Sequence, residues 1–224
     1  MDLNEKDQDA FLENYGQQWI ELLKSKYEIT EGQTIFIKSP HIAYSELWIK
    51  TFPNARIALL CRDGRDNVVS SVKASNDRRT WHTMRIKFKK RLNYLLGRSF
   101  INHAKQWSLT ARQFAEIHES ERLKKFSYET LNDSPEGIEA LLKHFQLQVN
   151  DEILKGCLNA PVVGSSFGDE TKDITRPNWQ PDHDKSKFKF SRKWTHWGPI
   201  KRRVFKMIAG KELILLGFES NNKW

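Results

Sequence analysis

The chain has 224 residues, of which 38% are hydrophobic and 12% aromatic, so it is long enough for one α/β domain with a sizeable core and is not disordered as a whole. Lys and Arg outnumber Asp and Glu by 37 to 28, giving a formal charge of +9 and an isoelectric point near 9.5. This balance suits an anionic partner (nucleotide, sulfated sugar, nucleic acid or acidic membrane) without choosing among them. The two cysteines, Cys61 and Cys157, are far apart and form neither a disulfide framework nor a CxxC spacing. The seven histidines make no metal set with carboxylates, so no metal is expected. The first twenty residues are acidic and amphipathic, unlike a secretory leader, and no apolar run is long enough to span a bilayer. The expectation is a cytoplasmic protein of a reducing compartment.

Residues 8–27 carry Phe11, Leu12, Tyr15, Trp19, Leu22 and Leu23 at helical spacing, which predicts a helix packed on a sheet. Gly32 and Gln33 turn the chain into a β-rich run, Thr34 to Lys38, closed by Lys38-Ser39-Pro40-His41. Residues 43–51 read as a helix. A turn at Phe52-Pro53-Asn54 then leads to the apolar run Ile57 to Cys61. Strand, loop, helix and strand make a βαβ unit with parallel, adjacent strands, which puts Lys38 and His41 on the same sheet edge as Arg62.

The second strand breaks at Arg62-Asp63-Gly64-Arg65-Asp66 and passes into an amphipathic segment with Val68, Val69 and Val72. Open α/β sheets bind ligands at such strand ends. Arg62 and Arg65 offer planar forked donors, Ser70 follows about one turn into the helix, and Asp66 is the expected N-cap. Guanidiniums, a hydroxyl and a helix N-terminus together suit a phosphate or sulfate. The bland alternative is a solvated loop capped by an Arg–Asp pair.

Residues 76–91 are strongly basic, either a solvated helix face or loop, or a basic rim for an anionic ligand with Trp81 and His82 among the charges. Residues 95–119 read as a long helix and residues 123–128 as a third strand. Ser134 caps a further helix with Pro135 at its first position, and a helix covers residues 151–158. Residues 159–193 form a long connection without periodicity, of the kind that is usually functional or mobile. Trp194, Trp197, Phe205, Leu213 and Leu216 then mark a C-terminal helical region. No repeat or domain boundary is visible. The prediction is one domain over residues 1–224, α/β, with a mostly parallel sheet flanked by helices.

These motifs in this order resemble the sulfotransferases that use 3′-phosphoadenosine 5′-phosphosulfate (PAPS). The carriers are the Lys-containing strand end, the Phe-Pro turn, and the Arg-Asp loop with Ser70 eight residues after Arg62. Further on stand Tyr128-Glu129-Thr130-Leu131 with Pro135-Glu136, Ser165-Ser166-Phe167, Ser191-Arg192-Lys193-Trp194 and Leu216-Gly217-Phe218. The likeness covers about residues 33–218, and the Arg-to-Ser loop is its most specific part. It implies a P-loop-like α/β fold and transfer of a sulfuryl group to a hydroxyl or amine of a small-molecule or carbohydrate acceptor. Arg62 and Ser70 would hold the 3′-phosphate, Tyr128 would contact the adenine, and Arg192 and Lys193 would close over the 3′-phosphate. Lys38 would sit near the sulfuryl group. His41 is the implied base, one position later than in the family's Lys-Thr-His form, with Glu46 and His82 as competitors.

The resemblance also implies a Gly- and Ser/Thr-rich loop for the 5′-phosphosulfate ahead of the first helix. Only Gly16 and Gly32 precede Lys38, and neither stands in a GxxxxGK[ST]-like string. The chain therefore reads as a fragment or a shortened homologue lacking the N-terminal strand and phosphate loop. A second function stays open beside the enzyme: an inactive homologue that binds a nucleotide or anionic polymer through its basic face. A P-loop kinase relative is disfavoured by the same missing loop.

Overall fold

The computed structural model describes residues 4–30, 32–39, 41–75, 83–160 and 191–224. In chain order these form α1 (Glu5–Tyr27), α2 (Ser45–Thr51), β1 (Ile57–Cys61), α3 (Gly64–Ser75), α4 (Met84–Leu95) and α5 (Arg98–Glu116). There follow β2 (Leu123–Ser127), α6 (Tyr128–Asp133), α7 (Pro135–His144), α8 (Asp151–Leu158), a 3-10 turn (Lys193–His196) and α9 (Pro199–Leu215). The class is α/β, mostly helical, with a small parallel sheet in which β1 pairs with β2 among the described residues. The crossover between the two strands runs through α3, α4 and α5. None of the described helices is long and apolar enough to cross a membrane.

The expected strand over Thr34 to Lys38 does not form; residues 33–39 are irregular chain. A strand needs a paired neighbour for its backbone groups and cover for its apolar side chains. Here Phe36 is 75% exposed and Ile37 41% exposed. Composition alone does not supply that cover, and the βαβ unit expected over residues 34–61 is replaced by the β1–β2 pair.

The chain divides into two compact units. The first comprises residues 1–59 and 119–124. Within it α1 packs on α2, and Gly16 is required because any Cβ there would run into the Thr51 backbone. Phe52 packs between Trp19 and Trp48, with ring centroids 5.7 and 5.4 Å away. Lys50 pairs with Asp9 at 2.8 Å.

The second unit, residues 60–118 and 125–224, holds the main core. Along α5, Phe100, Ala104, Trp107, Ala111 and Phe114 recur at helical spacing and are all buried. Phe205, Ala209 and Leu213 of α9 form the facing stripe, and Val68 of α3 completes the layer. Alanines at Ala104, Ala111 and Ala209 let helix backbones approach around Trp107, Phe205 and Trp197. Two ends follow the expected capping rules. Ser134 accepts from the Gly137 N–H at 3.1 Å with Pro135 at the first helical position, and Asn150 caps α8 through the Ile153 N–H at 2.8 Å. Gly97, at φ +68°, turns the chain between α4 and α5, a conformation that glycine adopts without strain.

Candidate functional site

The site is built at the carboxyl ends of β1 and β2, where Arg62 follows one strand and Tyr128 follows the other. Parallel pairing brings these ends side by side, and the Arg62 guanidinium lies 4.7 Å from the centre of the Tyr128 ring. Three contacts fix this edge. The Trp107 indole N–H donates to the Arg62 carbonyl at 3.2 Å. The Asp63 N–H donates to Glu129 Oε1 at 2.9 Å, and the Ser127 hydroxyl donates to Glu129 Oε2 at 2.9 Å. Glu129 thus ties the start of α6 to the loop after β1. Gly64 lies flat on Trp107, where a Cβ would enter the indole ring.

The two arginines of the loop have different surroundings. Arg65 is 3% exposed. Its guanidinium binds both Asp63 carboxylate oxygens, at 2.6 to 3.1 Å, and pairs with Glu219. It lies 4.0 Å from the Trp194 ring centre and 4.7 Å from that of Trp224. Burial opposes its charge, but hydrogen bonding to Asp63 and the two carboxylates hold it even more firmly protonated than usual. Arg65 is therefore committed to the fold, which corrects the expectation that it offers donors to a ligand.

Asp66 is corrected as well. The N-cap of α3 is Asp63, whose carboxylate accepts from the Arg65 N–H at 2.8 Å and whose carbonyl accepts from the Asn67 N–H at 2.9 Å. Asp66, 1% exposed, instead accepts main-chain N–H groups of Arg192, Lys193 and Trp194 at 2.7, 2.6 and 3.3 Å. Arg192 supports this geometry in the left-handed region at φ 58°. The late basic segment is thereby strapped onto α3. Asp66, Ser70 and Lys73 lie three or four residues apart on the helix and so share the strapped face.

Beside the strap, Lys193 feels the positive charge of Arg62 and Lys73. The Lys193 ammonium is held below its ordinary 10.5 first by burial and then by the positive charges of Arg62 and Lys73, with Asp66 opposing. The Tyr128 phenol is pushed up by burial, which outweighs the influence of Arg62, so it stays protonated. Positive charge near a half-buried lysine at a strand end marks this edge as a candidate site. Ser70 is half-buried on the same face of α3, and the side chain of Arg192, which precedes Lys193 in sequence, is exposed.

Of the predicted residues, the structure brings together Arg62, Tyr128 and Lys193, joined to α3 and Ser70 through Asp66. Lys38 and His41 belong to the other unit, on exposed irregular chain, where the His41 N–H meets the Ser39 hydroxyl at 3.4 Å. Glu46 lies in the first turn of α2. Trp81, His82 and the Ser165-Ser166-Phe167 motif lie outside the described residues. Sequence reasoning missed Asp63, Glu129, Trp107 and Lys73. Asp63 had a local signal, standing just ahead of a helix start at a capping position, and Glu129 stood in the Tyr128-Glu129-Thr130-Leu131 motif without a role of its own.

Arg62 and Tyr128 thus stand at the ends of adjacent parallel strands, the edge at which open α/β sheets place their ligands. The sequence matches the sulfotransferase family over residues 2–151, well over half of its length, and the chain belongs to that family. No curated protein and no solved structure gives a significant match.

Proposed function

We propose that the chain binds the 3′-phosphoadenosine portion of PAPS at the Arg62–Tyr128–Lys193 cluster and serves sulfuryl transfer to a hydroxyl or amine. The observation that carries this reading is geometric: the Arg62 guanidinium lies over the Tyr128 ring at the ends of adjacent parallel strands, and Asp66 straps the main chain of Lys193 onto the helix that follows Arg62. Arg62 supplies a forked pair of donors to the 3′-phosphate, Ser70 a hydroxyl from the strapped face of α3, and Lys193 a charge that strengthens as the anion arrives. Tyr128, protonated and half-buried, offers its ring to the adenine. Asp66 positions Lys193 by holding the main chain around it, and Glu129 positions Arg62 by holding the Asp63 N–H.

When bound, PAPS supplies an activated sulfuryl group. Its bond to the 5′-phosphate oxygen breaks, a bond to the acceptor oxygen or nitrogen forms, and the acceptor proton passes to a base. Such transfers depend on positioning and on cations around the peripheral oxygens more than on covalent help from the protein. Lys38 as the cation near the sulfuryl group and His41 as the base are the roles the resemblance implies, and they belong to the same proposal.

The test is transfer of radiolabelled sulfate from PAPS to a panel of hydroxyl and amine acceptors, with Arg62→Ala in parallel. The reading expects transfer that falls at least about tenfold in Arg62→Ala, the loss typical of one charge-assisted phosphate contact. Nucleotide binding without transfer to any acceptor would instead favour the inactive, anion-binding homologue.

A further inference from the structure

An open groove of about 1250 Å³ lies in the second unit, between α3, α4, the start of α5, the 3-10 turn and the first turn of α9. Its base is apolar: Val68, Val72, Phe100 and Trp197, three of them core residues. Its rim is apolar too, yet uncovered, with Met84 79%, Phe88 72% and Leu95 70% exposed. These three residues and Leu92 fall at helical spacing on one side of α4. Exposed large apolar side chains gathered on one stripe beside a groove mark a binding surface.

The polar lining has one sign. Lys73, Lys87, Arg91, His196 and Lys201 line the groove, and no carboxylate does so among the described residues. Helix α4 itself holds Arg85, Lys87, Lys89, Lys90 and Arg91 with no acidic residue at all. A groove for a neutral apolar ligand has no use for this charge, and a sugar-binding groove would not carry so much exposed aliphatic and aromatic surface. Lys73 lines the groove and its charge also acts on Lys193, so the groove borders the candidate nucleotide site.

We infer that this groove is the acceptor subsite and takes a single amphipathic anion: an apolar chain or ring system bearing a carboxylate, sulfate or phosphate, together with the hydroxyl or amine that receives the sulfuryl group. The apolar body lies along the α4 stripe and the Val72–Phe100–Trp197 base, and the anionic group pairs with Lys87, Arg91 or Lys201. The word acceptor rests on the sulfotransferase reading; the ligand class rests on the groove alone.

The test uses three amphiphiles of equal chain length, all below their micelle concentrations: decanoate, decanol and decyltrimethylammonium. Calorimetry on the full chain is expected to show decanoate binding at least about tenfold more tightly than decanol, with decyltrimethylammonium weakest. The double variant Lys87→Glu, Arg91→Glu, on exposed positions of α4, is expected to lose that preference, and Phe88→Ser to weaken all three. Equal affinity for the three amphiphiles, no binding, or an unchanged preference in the double variant overturns the inference. So does capture by anionic vesicles with no affinity for monomeric decanoate. The nucleotide site is read separately: 3′-phosphoadenosine 5′-phosphate should bind the α4 variants normally, and decanoate should bind Arg62→Ala normally. Failure of the nucleotide with the decanoate pattern intact removes the sulfotransferase reading and leaves the ligand class standing.

Discussion

Arg62 and Arg65 stand three residues apart in one loop, and the sequence offers no local difference between them. The difference comes from Glu219, Trp194 and Trp224, which are distant in sequence and enclose Arg65. Removing one partner from a buried ion pair leaves an uncompensated charge, so Arg65→Met should cost about 3–5 kcal/mol in a urea melt. Arg62→Met should cost about 1 kcal/mol, the scale of its stacking on Tyr128, while weakening nucleotide binding at least about tenfold. Lys193 gives a pH test. Its folded pKa is lowered below 10.5, so the charged form that an anion prefers is lost as pH rises through that depressed value. Nucleotide affinity should therefore fall on the alkaline side, beginning below the ordinary lysine range, with proton uptake on binding there. Lys193→Met should abolish this limb in calorimetry at several pH values. The two thiols differ too: burial pushes Cys61 up to about 12, whereas Cys157 is exposed. Iodoacetamide near neutral pH should label Cys157 alone by mass spectrometry.

At the scale of elements, the sequence was most readable where signals are local. The spans of β1, β2 and α8, the Ser134–Pro135 helix start and the α5 stripe all follow from periodicity and capping. It was least readable where a distant partner decides. Asp66 carries the local mark of a cap, but its three N–H donors lie 126 to 128 positions further along the chain. Thr34 to Lys38 has strand composition, but Phe36 and Ile37 stay largely exposed. The basic run over residues 76–91 could be loop or helix; from Met84 onward it is α4, started by Thr83 accepting from the Ile86 N–H at 3.3 Å. The strap yields a prediction of its own. Asp66→Ala strands three N–H groups near the Lys193 turn and should destabilise the chain by about 2–4 kcal/mol. It should also weaken the nucleotide although Asp66 does not touch it. Thermal melts and calorimetry on the same variant separate the two effects.

At the scale of the molecule, the excess of positive charge left the partner's chemistry open, and the structure narrows it by showing where cations gather. One gathering, at the ends of the parallel strands, sits where this class of fold holds nucleotides. The other lies along α4 beside exposed apolar surface. The family match covers residues 2–151, so Arg192 and Lys193 enter through the strap on Asp66 and not through that match. The central claim is that Arg62 and Lys193 recognise the 3′-phosphate in particular. The most direct measurement is a calorimetric cycle pairing two ligands, 3′-phosphoadenosine 5′-phosphate and adenosine 5′-phosphate, with the native chain and Arg62→Ala. The account predicts that the native chain prefers the 3′-phosphorylated ligand by about a hundredfold, as expected for two charge-assisted contacts, and that Arg62→Ala erases most of this preference while lowering its melting temperature by only about 2–4 °C. Equal affinity of the native chain for both ligands, or an undiminished preference in Arg62→Ala, would contradict it.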